Sequence, residues 1–454
     1  MNALEKFEEF RNKYDTFIYE KYDISYDDEY MNVKYYFNIP GLTWFYPQFK
    51  INKKYITNNE ISDVYLNNLV FHIGLIELVS YFKCTCSPNV IIKAGYVSDE
   101  QIKWFKKLYY NGLGEFLYTN GINVSFDDLM SVTCECEEEE LPEINYVGCG
   151  NLISVGGGKD SCVSLEILKN ENNNSCFIIN PKSPSLQCCE VAGYGDKDVI
   201  SVSRILDRKI VELNNEGFLN GHTPFSSVVA FISYLCAYLS GKKNIVLSNE
   251  SSANEATVLG TSINHQYSKS FEFESDFNNY VNKYFGLDIH YFSLLRGISE
   301  FQIGKLFSMY KQYHKVFKSC NLGSKEVVWN WCCDCPKCLF VYMILSPFLY
   351  KEEIINIFGQ DLYEREDLLK SFIEILGFAD TKPFECVGTY SEARYAVSLL
   401  INRLDKAQLP YLLKYYFENY ELELDGGNIL SYNEENNLDD YYENLVKKEL
   451  MKYV

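Results

Sequence analysis

Asn151-Leu-Ile-Ser-Val-Gly-Gly-Gly-Lys-Asp-Ser161 sets a short apolar run against three glycines, a lysine, an aspartate and a serine. Glycine lets the backbone turn tightly and brings its N–H groups close to an anion. A helix that begins at once adds the partial positive charge of its N-terminus, and Lys159 adds a whole one. The segment therefore predicts a strand that opens into a phosphate loop, with Gly156, Gly157, Gly158, Lys159, Asp160 and Ser161 as its binding residues. It is not a Walker A loop, whose glycines stand apart before Lys-Ser/Thr, and it lacks the G-x-G-x-x-G spacing of dinucleotide loops.

Outward from this loop, β-type runs at 176–180, 198–203, 244–249 and 288–295 alternate with helical ones, including a long helix over 226–239. Ser299 with Gln302 three residues on is a capping box that predicts another helix. Strands alternating with helices predict an α/β fold with a doubly wound parallel sheet. Before the loop, residues 1–146 read as an N-terminal α+β unit, with helices over 71–84 and from Ser98, the latter an N-cap. The glutamate run 137–140 and Pro142 read as a solvated boundary. The expected units are an N-terminal substrate or accessory domain at 1–146, a phosphate-loop domain at 147–319 and a Cys-knuckle and helical domain at 320–454.

Composition limits the function. Hydrophobic residues make up 47% of the 454 and charged ones 23%, an ordinary globular balance. With 42 basic and 62 acidic residues the net charge is −20, which disfavours a nucleic-acid partner. The N-terminus mixes acids with apolar residues, unlike a signal peptide, and the apolar stretch 339–350 is too short to span a bilayer. Sixteen cysteines without such a signal point to a reducing compartment, the cytoplasm. No membrane partner is expected, and the oligomeric state is left unassigned.

Cys320, Cys332, Cys335 and Cys338 are spaced so that four thiolates can close a tetrahedral zinc site, with Cys333 left over. A buried thiol cluster without metal is the alternative. A polar strip at 248–274 follows the strand at 244–249, so it falls at the carboxyl end of the sheet, where α/β folds bind ligands. It holds Asn249, Glu250, Asn254, His265, Gln266, Tyr267 and Lys269.

Gly156–Ser161 resembles the Ser-Gly-Gly-x-Asp-Ser loop of the PP-loop ATP pyrophosphatases, with Gly156 in place of the leading serine. That resemblance implies that Asp160 helps to hold Mg²⁺ and that the strand tip at Asn180 lies near the adenine. The cysteine spacing resembles the zinc tail of cyano-deazaguanine synthase. Together the glycine loop, the strip, LLRGISEFQIGKLF (294–307), WCCDCPKCLFVYMILSPFL (331–349) and PFECVGT (383–389) resemble the UDP-N-acetylmuramoyl-L-alanyl-L-glutamate epimerases. With two N-terminal pieces the likeness spans roughly residues 65–390.

The resemblance implies an ATP- and Mg²⁺-dependent enzyme that inverts the terminal L-glutamate of the nucleotide-linked dipeptide and releases AMP and pyrophosphate. Forming an acyl-adenylate removes the carboxylate charge, so the α-proton can be taken and returned on the other face. Lys159 and Asp160 serve the phosphates and metal. His265, Glu250 and Lys269 are the acid–base candidates, with Tyr267 and a free cysteine such as Cys188 still open. Asn249, Asn254, Gln266, Tyr267 and Arg296 are the expected substrate contacts, Arg296 as an anion clamp. Two competing readings are an amide-forming or base-modifying PP-loop enzyme and an ATP-binding regulatory module.

Overall fold

The computed structural model describes residues 2–452 apart from 259, 262, 321 and 324–329. Eleven strands form one sheet: β1 (Thr16–Tyr26), β2 (Tyr30–Ile39), β3 (Thr43–Phe45), β4 (Gln48–Asn52), β5 (Asn89–Ile92), β6 (Ser131–Cys134), β7 (Asn151–Ser154), β8 (Ser175–Ile179), β9 (Val199–Ile205), β10 (Asn244–Leu247) and β11 (His290–Ser293). Their spatial order is β11-β10-β7-β8-β9-β4-β2-β1-β5-β6, with β3 paired to β2.

The five strands from β7 onward are parallel to one another and wound in both directions from the middle. The chain starts at β7, steps outward through β8 to β9, then returns to β10 on the other side of β7. The winding direction reverses between β7 and β10, which opens a crevice at their carboxyl ends, where ligands of such sheets sit. Short runs such as Asn-Leu-Ile-Ser and Asn-Ile-Val-Leu suit these strands because both faces are covered by helices.

The expected all-parallel sheet is corrected by the N-terminal strands. β4 pairs antiparallel with β9, so the parallel half continues without a break into a mixed sheet. β2 shows why the sequence allows it. Its residues alternate strictly between half-buried and buried, placing Met31, Val33, Tyr35, Phe37 and Ile39 on one face. Against the sheet packs the helix Asp63–Phe82, which is long and apolar enough to cross a membrane by length and composition. Its most apolar stretch is 78% buried inside the molecule, as a core helix would be.

Two hydrophobic cores share the sheet. One holds that helix, the helix Phe225–Ser240 and the N-terminal strands. The other holds the helices Lys159–Ile167, Glu300–Met309 and Pro336–Leu345 with the helical C-terminal part. The N-cap expected at Ser98 and the capping box expected at Ser299 are both present, and each is a capping box closed by a glutamine at the third helical position.

Candidate active site

The glycine loop leaves β7 at its carboxyl end, and the helix Lys159–Ile167 begins directly after it. Gly157 sits at φ +87°, and a Cβ there would lie 2.8 Å from the Ser185 main-chain nitrogen. Only glycine fits that turn and that approach. Gly156 differs: it is exposed and a Cβ would meet nothing within 4 Å. Ser161 turns its hydroxyl back to the Gly158 carbonyl at 2.9 Å, closing the first helical turn. The Lys318 main-chain nitrogen donates to the Gly157 carbonyl at 2.9 Å, which ties the loop to the segment leading into the cysteine cluster.

A cavity of about 450 Å³ opens over this loop. Its polar lining includes Asp160, Asn249, Glu250, Lys269, Lys318 and Lys337. Its apolar side is Phe177, Ile179, Phe225 and Val229. Three lysines and two carboxylates thus converge where the strand order reverses, an arrangement suited to a polyphosphate with a divalent cation. A larger cavity of about 910 Å³ lies among Tyr22, His72 and the glutamates 137–140. Its four clustered carboxylates repel an anionic ligand, so charge favours the smaller site.

Lys159 does not line the cavity. It is 1% exposed and its ammonium is held between the carboxylates of Asp160 and Glu300. Burial raises the pKa of Glu300, and Asp160 beside it adds to this against the pull of Lys159, leaving it at about 8. At Asp160 burial also works upward, but Lys159 and Lys337 outweigh it and hold the carboxyl below its usual range. The Glu300 main-chain nitrogen donates to Glu392 at 2.7 Å, fixing the start of its helix.

The polar strip folds into two short 3₁₀ turns that return Lys269 and His265 to the site. Lys269 Nζ lies 3.0 Å from Cys386 Sγ, and Cys386 lines the cavity. His265 hydrogen-bonds both Cys386 and Glu115, and His222 Nδ1 lies 3.4 Å from the same Glu115 oxygen. Burial alone would lower the imidazole pKa of His265; its bonds to Cys386 and Glu115 raise it to about 9. Burial alone would raise the Cys386 thiol; Lys269, the His265 bond and Lys337 bring it down to about 5. Both shifts favour a thiolate beside an imidazolium.

The other expected contacts spread differently. Asn249 lines the cavity, its amide donating to Ser293 Oγ at 3.1 Å. Asn254 is exposed and accepts from the Phe271 main chain, and Tyr267 is buried against Phe273. Gln266 is buried beside it. Ile179 reaches the cavity, whereas the Asn180 side chain is tied to the Arg204 main chain. Arg296 is fully buried; it donates to the carbonyls of Glu250 and Lys269 and to Glu274. Its guanidinium thus positions two site residues through their main chains. Cys188 is buried 3.5 Å from Cys162 Sγ.

The sulfurs of Cys320, Cys332, Cys335 and Cys338 gather within 4.8 Å of one another. The separations are 4.0 Å for 320–335, 3.7 Å for 332–338 and 3.5 Å for 335–338. Zn–S bonds of about 2.3 Å in a tetrahedron put sulfurs about 3.8 Å apart, so the cluster has the size of a zinc site. Cys335 caps the helix Pro336–Leu345, and the second residue of that helix, Lys337, enters the cavity and donates to the Cys386 carbonyl.

Residues 8–294 match the MurL N-terminal domain and residues 316–423 the MurL C-terminal domain. Three curated proteins named UDP-N-acetyl-alpha-D-muramoyl-L-alanyl-L-glutamate epimerase are similar to the chain. The one from Xanthomonas oryzae pv. oryzae is 35% identical over 338 residues, 73% of this chain and 74% of that protein. The chain belongs to this epimerase family. The Micromonospora protein is 34% identical over 330 residues, 71% of this chain and 72% of its own. That from Salinispora tropica is 35% identical over 330 residues, 71% of this chain and 70% of its own.

Cys386, Lys337, Glu115 and Glu300 belong to the candidate site but are not among the site residues that the sequence marks. Cys386 lay within PFECVGT and Lys337 within WCCDCPKC, both already singled out as family-like, so a signal was present for those two. Glu300 lay within LLRGISEFQIGKLF and Glu115 within KLYYNGLGEFLYTNGI (107–122), stretches that are also family-like, but their partners are 141 and 150 residues away in the chain, so no local pattern marked those contacts.

Proposed function

We propose that this chain inverts the terminal L-glutamate of UDP-N-acetylmuramoyl-L-alanyl-L-glutamate, using ATP to form an acyl-adenylate and releasing AMP and pyrophosphate. Membership of the epimerase family supports the substrate. The observation that carries the ATP step is the cavity over the glycine loop, with Lys269, Lys318 and Lys337 facing Asp160 and Glu250. On this reading the five parallel strands and the loop form a PP-loop ATP-binding unit, which the order β9-β8-β7-β10-β11 supports, because the loop lies at the crevice where such sheets bind ligands.

The phosphates lie on Gly156, Gly158 and the helix N-terminus, with Lys318 and Lys337 balancing their charge. The adenine lies on Phe225, Val229 and Ile179. Asp160 and Glu250 suit a hard divalent cation. A Mg²⁺ ion held there would supply positive charge against that of the departing pyrophosphate. The substrate carboxylate attacks the α-phosphorus, its charge is lost in the mixed anhydride, and its carbonyl becomes a better electron sink. The α-proton leaves one face and a proton returns to the other, after which water frees AMP. Cys320, Cys332, Cys335 and Cys338 would hold a structural zinc ion, which would fix the start of the helix bearing Lys337.

The test is incubation with ATP, Mg²⁺ and the dipeptide nucleotide in deuterated water. AMP, pyrophosphate and D-glutamate deuterated at the α-carbon are expected. Asp160→Ala should lower the rate ~10²–10³-fold, the usual cost of losing one contact aimed at developing charge. ADP in place of AMP would overturn the PP-loop reading, and AMP without α-deuterium would keep the loop but discard the epimerase in favour of the amide-forming or base-modifying alternative.

A further inference from the structure

We propose that Cys386 is a catalytic residue of the inversion step, its thiolate exchanging the α-proton of the activated glutamate while His265 and Lys269 hold it in place. The proposal rests on the epimerase reading and names the group that the reaction needs on one face.

Of the sixteen cysteines, Cys386 alone lines the cavity over the glycine loop. It is half-buried and open to that cavity, so a bound acyl group can reach its sulfur. Around the sulfur the fold gathers three cationic side chains from two separate elements. Lys269 arrives from the polar strip at 3.0 Å, His265 from the same strip through a hydrogen bond, and Lys337 from the cysteine-capped helix. His265 is itself oriented by Glu115, from the N-terminal half of the chain. A cysteine, a histidine and a carboxylate in series are the parts from which an activated thiolate is built.

The other acid–base candidates are placed less well. Glu250 faces the cavity beside Asp160 and suits the cation, and Lys269 carries a proton stabilised by Cys386 and Glu250, so it cannot accept another. Tyr267 is packed in the core. In the step itself, Sγ forms a bond to the α-hydrogen as the Cα–H bond breaks, and that electron pair moves into the acyl carbonyl to give the enolate. An acid fed by solvent on the opposite face then forms the new Cα–H bond, and the Cys386 thiol returns its proton to solvent. One proton is taken and one is given, so charge and atoms balance.

The readout is α-deuterium incorporated per AMP released, with wild type, Cys386→Ala and Cys386→Ser compared in deuterated water. Both variants should fall by about a hundredfold or more, the usual share of a positioned acid–base group. A second measurement does not depend on a variant that folds: wild-type enzyme is treated with iodoacetamide at pH 6 and its cysteines are mapped. Cys386 should react first, and ATP with the dipeptide nucleotide should protect it. Exchange per AMP within threefold of wild type in Cys386→Ala would overturn the proposal, as would an unreactive Cys386 at pH 6. A second zinc ion per chain that disappears in His265→Ala would do so too, since Glu115, His222 and His265 would then be metal ligands. If wild type itself releases AMP without α-deuterium, the epimerase reading fails instead.

Discussion

Lys159 shows how far a residue's part in a motif can differ from its part in the fold. The glycine loop suggests a lysine that meets phosphate, yet its ammonium is buried between Asp160 and Glu300, and the cavity's cations come from elsewhere. Breaking a buried ion pair leaves an uncompensated charge and costs about 3–5 kcal/mol. Lys159→Ala should therefore lower the midpoint of urea unfolding as well as activity, whereas Asp160→Ala should affect mainly activity. An unfolding midpoint unchanged in Lys159→Ala would return the lysine to the phosphates. The same scale sets a pH dependence. Lys269, His265 and Lys337 face Cys386, and Glu115 and His222 face His265. Cys386 sits at about 5, below the usual thiol value, so α-proton exchange should fall as pH drops through about 5 and the thiolate is protonated. Removing a cation raises the thiol's pKa, so His265→Ala should move this acid limb upward by about one pH unit or more, ~1.4 kcal/mol per unit. A limb that stays in place would deny His265 its positioning role.

At the scale of elements, the glycine loop divides into one position that needs glycine, Gly157, and others that do not. Gly157→Ala forces a Cβ against the Ser185 main chain at a positive φ and should lower the melting temperature by several degrees; Gly156→Ser enters open space and should leave it within a degree or two. Equal shifts in the two variants would contradict the loop geometry. The cysteine cluster makes the second element-scale prediction. Purified protein should carry one zinc ion per chain, and Cys332→Ser with Cys335→Ser should lose it. The helix Pro336–Leu345 then loses its anchored start, so Lys337 leaves the cavity and AMP release should fall with zinc content. Full zinc retention in the double variant would discard the site. These elements were legible because each rests on local chemistry: glycines before Lys-Asp-Ser, cysteines three residues apart, Ser299 with Gln302 as a cap. The roles of Cys386 and Glu115 were not, although both residues lie in family-like stretches, because those roles exist only when residues 115, 265, 269 and 386 meet. Arg296 shows the opposite failure, a residue type that suggests an anion clamp but is used on the protein's own carbonyls.

At the scale of the whole molecule, the five parallel strands were readable from alternating strand and helix patterns. Their continuation into the N-terminal strands was not, because pairing across 150 residues leaves no local mark. β4 and β9 join the halves through antiparallel pairs from Gln48 with Ile205 to Ile51 with Val202. That seam has a consequence for anyone who divides the chain. A fragment of residues 1–146 would carry β4 without its neighbour, a row of open N–H and C=O groups on a flat and partly apolar strand. Such a rim is a template for other copies of itself. The fragment should therefore form β-rich aggregates at micromolar concentration, detectable by thioflavin fluorescence and light scattering. Co-expression with residues 147–454, which restore the missing neighbour, should keep it dispersed.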